Sequence, residues 1–229
     1  MSTLSPQEFV ADGRSVEQAT QEDRLIFLRK TYSLVLLGVA IFALTISAVP
    51  QFPPLLKFTA TIWGQSWWLG MIILLGGGFL VRVLARKPGI GLIGYLVWTF
   101  LLGTLLAIPV AMSDPNTVYT AAIMTALIFA GLTAYVFVTK KDFSFLGGIL
   151  SIGLFSMIGI AICGMLFGFE VGVWFSWLGA ALFSGYILYD TSRIMRTHDT
   201  SEAVPAAIEL FTSIVYLFWY ILQILNSRD

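Results

Sequence analysis

The chain has 229 residues, 58% of them hydrophobic and 11% charged, and its 13 basic residues balance its 13 acidic ones. With a mean hydropathy of +0.87, this composition excludes a water-soluble globular domain, and the absence of any basic patch excludes nucleic-acid binding. One cysteine and one histidine exclude an intrachain disulfide and a Cys/His metal cluster.

Residues 1–24 read as a flexible, slightly acidic tail and residues 25–229 as a membrane domain. Glu8, Glu17 and Glu22 fall in that tail, so no cleavable signal peptide is expected. Beyond it, apolar runs of about 18–22 residues recur, the length that crosses roughly 30 Å of hydrocarbon. The short alternating segments of a β-barrel are absent. The expected fold class is all-α: a polytopic membrane protein with seven transmembrane helices.

The first span covers residues 32–49 and ends at Pro50; residues 51–65, with Pro53 and Pro54, read as a loop. Span two covers 66–85, with a flexible Gly76–Gly78 stretch at its middle and Arg82 and Arg86 at its end. Span three, 90–112, contains Pro109 and leads through a turn at 113–117 into span four, 118–138. There Ala122, Ala126, Ala130 and Ala134 form a small-residue stripe suited to close helix approach. Lys140, Lys141 and Asp142 make the next turn. Span five covers 145–167, with Gly164 and Gly168 at GxxxG spacing, span six 171–189 and span seven 204–225.

Charge asymmetry between the spans orients the chain. Arg14, Arg24, Arg29, Lys30, Arg82, Arg86, Lys87, Lys140, Lys141, Arg193 and Arg196 fall on one side, and only Lys57 and Arg228 on the other. The N-terminus is therefore expected in the cytoplasm and the C-terminus outside. Trp63, Trp67, Trp68, Trp174 and Trp177 then lie at outer helix ends, as an aromatic belt does.

Asp190, closing span six, and Glu209, about one and a half turns into span seven, are carboxylates at membrane depth, where ionisable groups are costly and mark functional sites. The short connection makes the two helices antiparallel neighbours, so the pair reads as a pH-sensitive latch or cation site. The structural alternative pairs Asp190 with Arg193, one turn on, and leaves Glu209 at a helix start favoured by the dipole. Arg82 and Arg86 share one helix face; they either snorkel to the interface or turn inward to neutralise the carboxylates. Ser213 lies one turn from Glu209 on the same face. Ser184 and Thr212 either join that polar seam or bond their own backbone. His198, beside Asp199, reads as a solvated loop residue. No nucleophile–base–orienter set, HExxH, GxSxG or phosphate loop appears, so catalysis finds no support.

Three stretches carry a family resemblance: TKKDFSFLGGIL at 139–150, YILYDTSRIM at the end of span six, and AIELFTSIVYLFWYILQIL in the last span. With the seven-span layout they resemble the Bax inhibitor-1 family, also called transmembrane BAX inhibitor motif proteins, over residues 29–229. The closing LNSRD and the tail length look most like the bacterial YccA-like branch. The resemblance implies six helices around a central seventh. For better-studied members it implies a pH-sensitive calcium leak, in which a span-six carboxylate pairs with one of the last helix and an arginine of span two helps lock the closed state.

Carried over by residue, Asp190 takes the span-six position, and Arg86, with Arg82 as the alternative, takes the arginine's. The last-helix aspartate falls at Ser213, so either Glu209 substitutes for it or the two-carboxylate latch is missing. The YccA-like branch is associated with binding and modulating FtsH, the membrane ATP-dependent protease. The function implied first is therefore an FtsH modulator in the bacterial inner membrane, and the alternative a calcium or proton leak. Neither requires a cofactor. Calcium enters as a permeant ion, with Asp190 and Glu209 as candidate weak ligands, and the lipid bilayer is the expected surrounding.

Overall fold

The computed structural model describes residues 15–65, 67–85, 90–168 and 172–227. Within them the order is α1 (Gln21–Ala48), a 3-10 turn (Val49–Gln51), α2 (Pro53–Gln65), α3 (Trp67–Ala85), α4 (Ile90–Ala111), α5 (Pro115–Thr139), α6 (Leu146–Phe167), α7 (Gly172–Arg196) and α8 (Ala203–Asn226). Among the described residues six helices are long and apolar enough to cross a membrane. α3 stands where span two is expected. The protein is an all-helical, polytopic membrane protein.

Local sequence sets the helix ends. Thr20 caps α1 by accepting the Asp23 N–H at 3.2 Å, with acidic Glu22 and Asp23 in the first turn. Asp114 caps α5, accepting N–H groups of Asn116 and Thr117 at 2.8 and 3.2 Å, and Pro115 fills the first helical position. α5 ends where Lys140 enters the left-handed region at φ 50° and donates its N–H to Val136.

The helix expected at the chain's end lies at the centre. Sixteen of the 24 residues of α8 are buried, and it packs against α1, α3, α4, α5 and α7. A helix that is apolar nearly all round is stable only in such a position. Its closest neighbour is α7, where Gly179 admits the Tyr220 ring: a Cβ there would stand 2.5 Å from Tyr220 Cδ1. Large apolar side chains such as Leu127, Ile152, Phe155 and Leu166 are exposed on the outer helices α5 and α6, the faces a bilayer would cover.

Several expectations change. Residues 53–65 are helix, not loop, because two prolines in a first turn start a helix rather than break one. α2 then anchors on α4: Trp63 Nε1–H donates to the Leu105 carbonyl at 2.8 Å, and Ile62 is buried. The small stripe of α5 (Ala122, Ala126, Ala130, Ala134) is exposed; α5 buries Ala121, Thr125 and Val136 instead. Gly168, at φ 71°, ends α6 rather than packing a neighbour in a GxxxG seam. The Gly76–Gly78 stretch is continuous helix, and the Trp98 ring stands where a Cβ on Gly77 would project. α7 runs on to Arg196 without a Gly or Pro to stop it, so Asp190 lies inside the helix rather than at its end. Thr191, Ser192, Ile194 and Met195 are buried along this last part.

At the N-terminal side, α1 begins at Gln21, and residues 15–19 form a strap against the α7–α8 turn, so the expected tail boundary at residue 24 falls inside a helix. The Val16 and Glu17 N–H groups donate to the carbonyls of His198 (2.8 Å) and Arg196 (3.3 Å), and Val16 is fully buried. The strap, the α5–α6 turn and the α7–α8 turn thus gather at one end of the bundle. At the other end Asn226 Nδ2 donates to Ser113 Oγ at 2.9 Å.

Candidate functional site

Two of the three resemblance-bearing stretches, the α5–α6 turn and the end of α7, meet in space. Ser192 Oγ, on the extended end of α7, accepts the Phe143 N–H at 3.0 Å, and the Arg196 guanidinium donates to the Lys140 carbonyl. In the same turn the Ser144 N–H donates to Asp142 at 2.9 Å. That bond, with lesser help from the Ser144 hydroxyl and Arg196, holds the Asp142 carboxyl below its ordinary range. These contacts fix the α5–α6 turn against α7 and set the height of Asp190 in the bundle.

Asp190 is buried, and its Oδ2 accepts the Ser213 hydroxyl at 2.8 Å. Ser213 is four residues beyond Glu209 on one face of α8, so a single helix presents one residue to each end of the site. Glu209, with a side chain only 5% exposed, is surrounded by two guanidinium groups and an imidazole ring. Its Oε1 lies 3.6 Å from Arg82 Nε, and its Oε2 lies 3.4 Å from Arg193 Nη1 and 3.2 Å from His198 Nε2. Arg193 also lies over the Tyr189 ring, 5.5 Å from its centroid. His198 Nδ1 lies 3.3 Å from Glu202 Oε2.

A cavity of about 480 Å³ starts at this site. Arg82, Ser213 and Thr212 line one end, Leu154, Phe183 and Tyr216 the walls, and Ser176 and Gln223 the other end. Along α8 the lining runs from Thr212 to Gln223, a rise of roughly 16 Å at 1.5 Å per residue. The Trp98 indole N–H donates to Thr212 Oγ1 at 3.3 Å and closes the polar end from the α4 side.

The structural alternative that pairs Asp190 with Arg193 does not form: Arg193 reaches across to α8, and Asp190 takes a neutral hydroxyl. His198 is not a solvated loop residue but 3% exposed, because the strap lies over its turn; no local sequence signal announces that cover. Ser184 bonds its own backbone, donating to the Ala180 carbonyl at 2.8 Å. Arg82 is the span-two arginine that meets Glu209, while Arg86 lies outside the described residues, as do the side chains of Trp67 and Trp68.

A resident calcium ion does not fit Glu209 in this arrangement. Calcium takes six to eight oxygen ligands, whereas both Glu209 oxygens face cationic nitrogens. No group of three or more His, Cys, Asp or Glu residues that could hold a metal occurs among the described residues.

The family model described as inhibitor of apoptosis-promoting Bax1 matches residues 24–229. The mouse protein lifeguard 4 is 32% identical over 219 residues, 94% of this chain and 90% of its own. Bax inhibitor 1 of Schizosaccharomyces pombe is 27% identical over 222 residues, 92% of this chain and 80% of its own. An uncharacterized membrane protein of Vibrio cholerae is 38% identical over 147 residues, 58% of this chain and 66% of its own. A buried carboxylate cluster on the last two helices thus sits in a chain that matches one family model over nearly its whole length, and the protein belongs to the Bax inhibitor-1 family.

Proposed function

We propose that the protein is a pH-sensitive cation leak whose path is the cavity between α3, α6, α7 and α8. The observation that carries this reading is the cavity's polar end: Arg82 and Ser213 line it, and Asp190 sits directly behind Ser213. A buried carboxylate at the foot of such a cavity supplies the negative charge that a cation needs, and the Arg82 cation beside it closes the way. Opening requires Arg82 to leave that end. Asp190, Arg82 and Glu209 are the residues of the gate, and Ser213 positions Asp190. Calcium and protons are the candidate permeant ions.

The topology that goes with this reading counts α3 as span two, which makes seven spans, with the N-terminus in the cytoplasm and the C-terminus in the periplasm of a bacterial inner membrane. Its support is the grouping of Lys140, Lys141, Arg193, Arg196 and the strap at one end of the bundle, where the positive-inside rule wants basic residues.

A second reading, modulation of the FtsH protease by a YccA-like protein, is favoured by Ser213. A hydroxyl where channel members carry an aspartate gives Asp190 a neutral partner, so the two-carboxylate latch is missing at that place. The two readings separate in one experiment. Calcium and proton flux into proteoliposomes is measured from about pH 6 to 8 for wild type and Asp190→Asn, and FtsH binding is measured on the same preparations. Flux above empty liposomes that Asp190→Asn abolishes supports the leak. Its absence at every pH, with FtsH retained by both proteins, supports the modulator.

A further inference from the structure

The one histidine of the chain has a geometry that neither reading uses. Its two ring nitrogens each face a carboxylate, Nδ1 toward Glu202 at 3.3 Å and Nε2 toward Glu209 at 3.2 Å. An ionised carboxylate only accepts hydrogen bonds, and a neutral imidazole carries one N–H. Both contacts are therefore hydrogen bonds only when the ring holds two protons. A neutral ring would turn a lone pair toward one of the two carboxylates. Glu202 stands at the position that precedes α8 but makes no side-chain cap bond to the helix; its carboxylate is turned toward the ring.

The backbone of the same residue holds the strap. The His198 carbonyl accepts the Val16 N–H at 2.8 Å, its N–H donates to the Arg193 carbonyl at 3.1 Å, and Ser15 pairs with Asp199. The other charged groups around the ring are engaged beside it. Arg193 from α7 and Arg82 from α3 both reach Glu209, and Arg196 lies 3.7 Å from Glu17 of the strap.

We propose that His198, Glu202 and Glu209 form a proton-binding site separate from Asp190, and that the proton on His198 holds the N-terminal strap against the α7–α8 turn. The site stands whether or not the cavity conducts. Its sign follows from the donor count. The protonated ring ties Glu202 to Glu209 and fixes the turn that carries the strap; as pH rises and the ring loses a proton, one tie fails and the strap loosens.

The test uses the full chain in lipid nanodiscs. Nitrogen NMR of the single histidine is recorded from about pH 5.5 to 8, with deuterium exchange at residues 15–20 and 197–203 corrected for the intrinsic pH dependence of amide exchange. In wild type the ring is doubly protonated at the low end, and its loss of a proton coincides with a rise in strap exchange of about tenfold or more, the scale of one charge-assisted hydrogen bond. His198→Gln exchanges fast at every pH. Glu202→Gln gives the opposite result, because a glutamine N–H donates to Nδ1 of the neutral ring while Nε2–H still reaches Glu209, so protection persists across the range. A ring that stays singly protonated throughout overturns the proposal. So does strap exchange whose pH dependence is unchanged in His198→Gln, or that still rises with pH in Glu202→Gln.

Discussion

Replacing Glu209 by glutamine leaves the shape of the site nearly unchanged and removes the anion that faces the Arg82 and Arg193 guanidinium groups and the His198 ring. Each contact lies between 3.2 and 3.6 Å. Losing one member of a buried ion pair costs about 3–5 kcal/mol, because the remaining charge is buried without a partner. That figure is an upper bound here. The Arg82 and Arg193 side chains are 43% and 30% exposed and can turn toward water, where an ion pair is worth about 0–1 kcal/mol. His198, 3% exposed, cannot turn toward water but keeps the Glu202 carboxylate 3.3 Å from its Nδ1, so the cost falls below that bound. The expected cost is about 2–3 kcal/mol, a fall in the unfolding midpoint of roughly 4–12 °C for a domain of this size. Tryptophan fluorescence during heating of the nanodisc-embedded protein measures it. Asp190→Asn is the control, since its amide oxygen still accepts the Ser213 hydroxyl and the midpoint should move far less. A Glu209→Gln midpoint within about 1 °C of wild type would refute the view that this carboxylate neutralises the cluster.

Ser213→Ala removes the hydroxyl that donates to Asp190 and is expected to cost about 1–3 kcal/mol, the penalty for a buried polar group that loses its partner, read by the same melt. Gly179→Ala forces a methyl group to within 2.5 Å of the Tyr220 ring; overpacking of this kind costs about 1–3 kcal/mol, and Tyr220→Leu in the same chain should recover most of it. Asp142, whose carboxyl is held below its ordinary range first by the Ser144 N–H, stabilises the start of α6 above its unfolded-state value. That contribution is lost as pH falls through the folded value. Protection of the Ser144 amide from exchange should therefore drop on acidification in wild type and be low at neutral pH in Asp142→Ala. Trp63→Phe removes the indole N–H that reaches the Leu105 carbonyl and should raise proteolytic nicking of α2 with little effect on the core of the bundle.

The sequence by itself determined most of the helices. Apolar runs long enough to span a bilayer have one low-energy solution when backbone groups find no water, and so α4, α5, α6 and α8 begin and end within a few residues of the expected spans. It also marked Asp190 and Glu209, because a carboxylate among Leu, Ile and Phe stands out without any coordinates. Tertiary structure decided what these groups face. Arg193 is one turn from Asp190 along the chain, yet the packing of α7 on α8 carries it to Glu209. Ser213 meets Asp190 across 23 residues of sequence. The stripe of alanines on α5 is periodic enough to suggest an interface, but the heavier face at Ala121, Thr125 and Val136 is the one α5 buries. His198 gave the least warning: in sequence it is a polar residue in a polar turn, and a strap that lies 182 residues earlier at Val16 covers it. Periodicity reports how a segment meets its own solvent. The partner of a charged side chain depends on distances between segments, which no local pattern encodes.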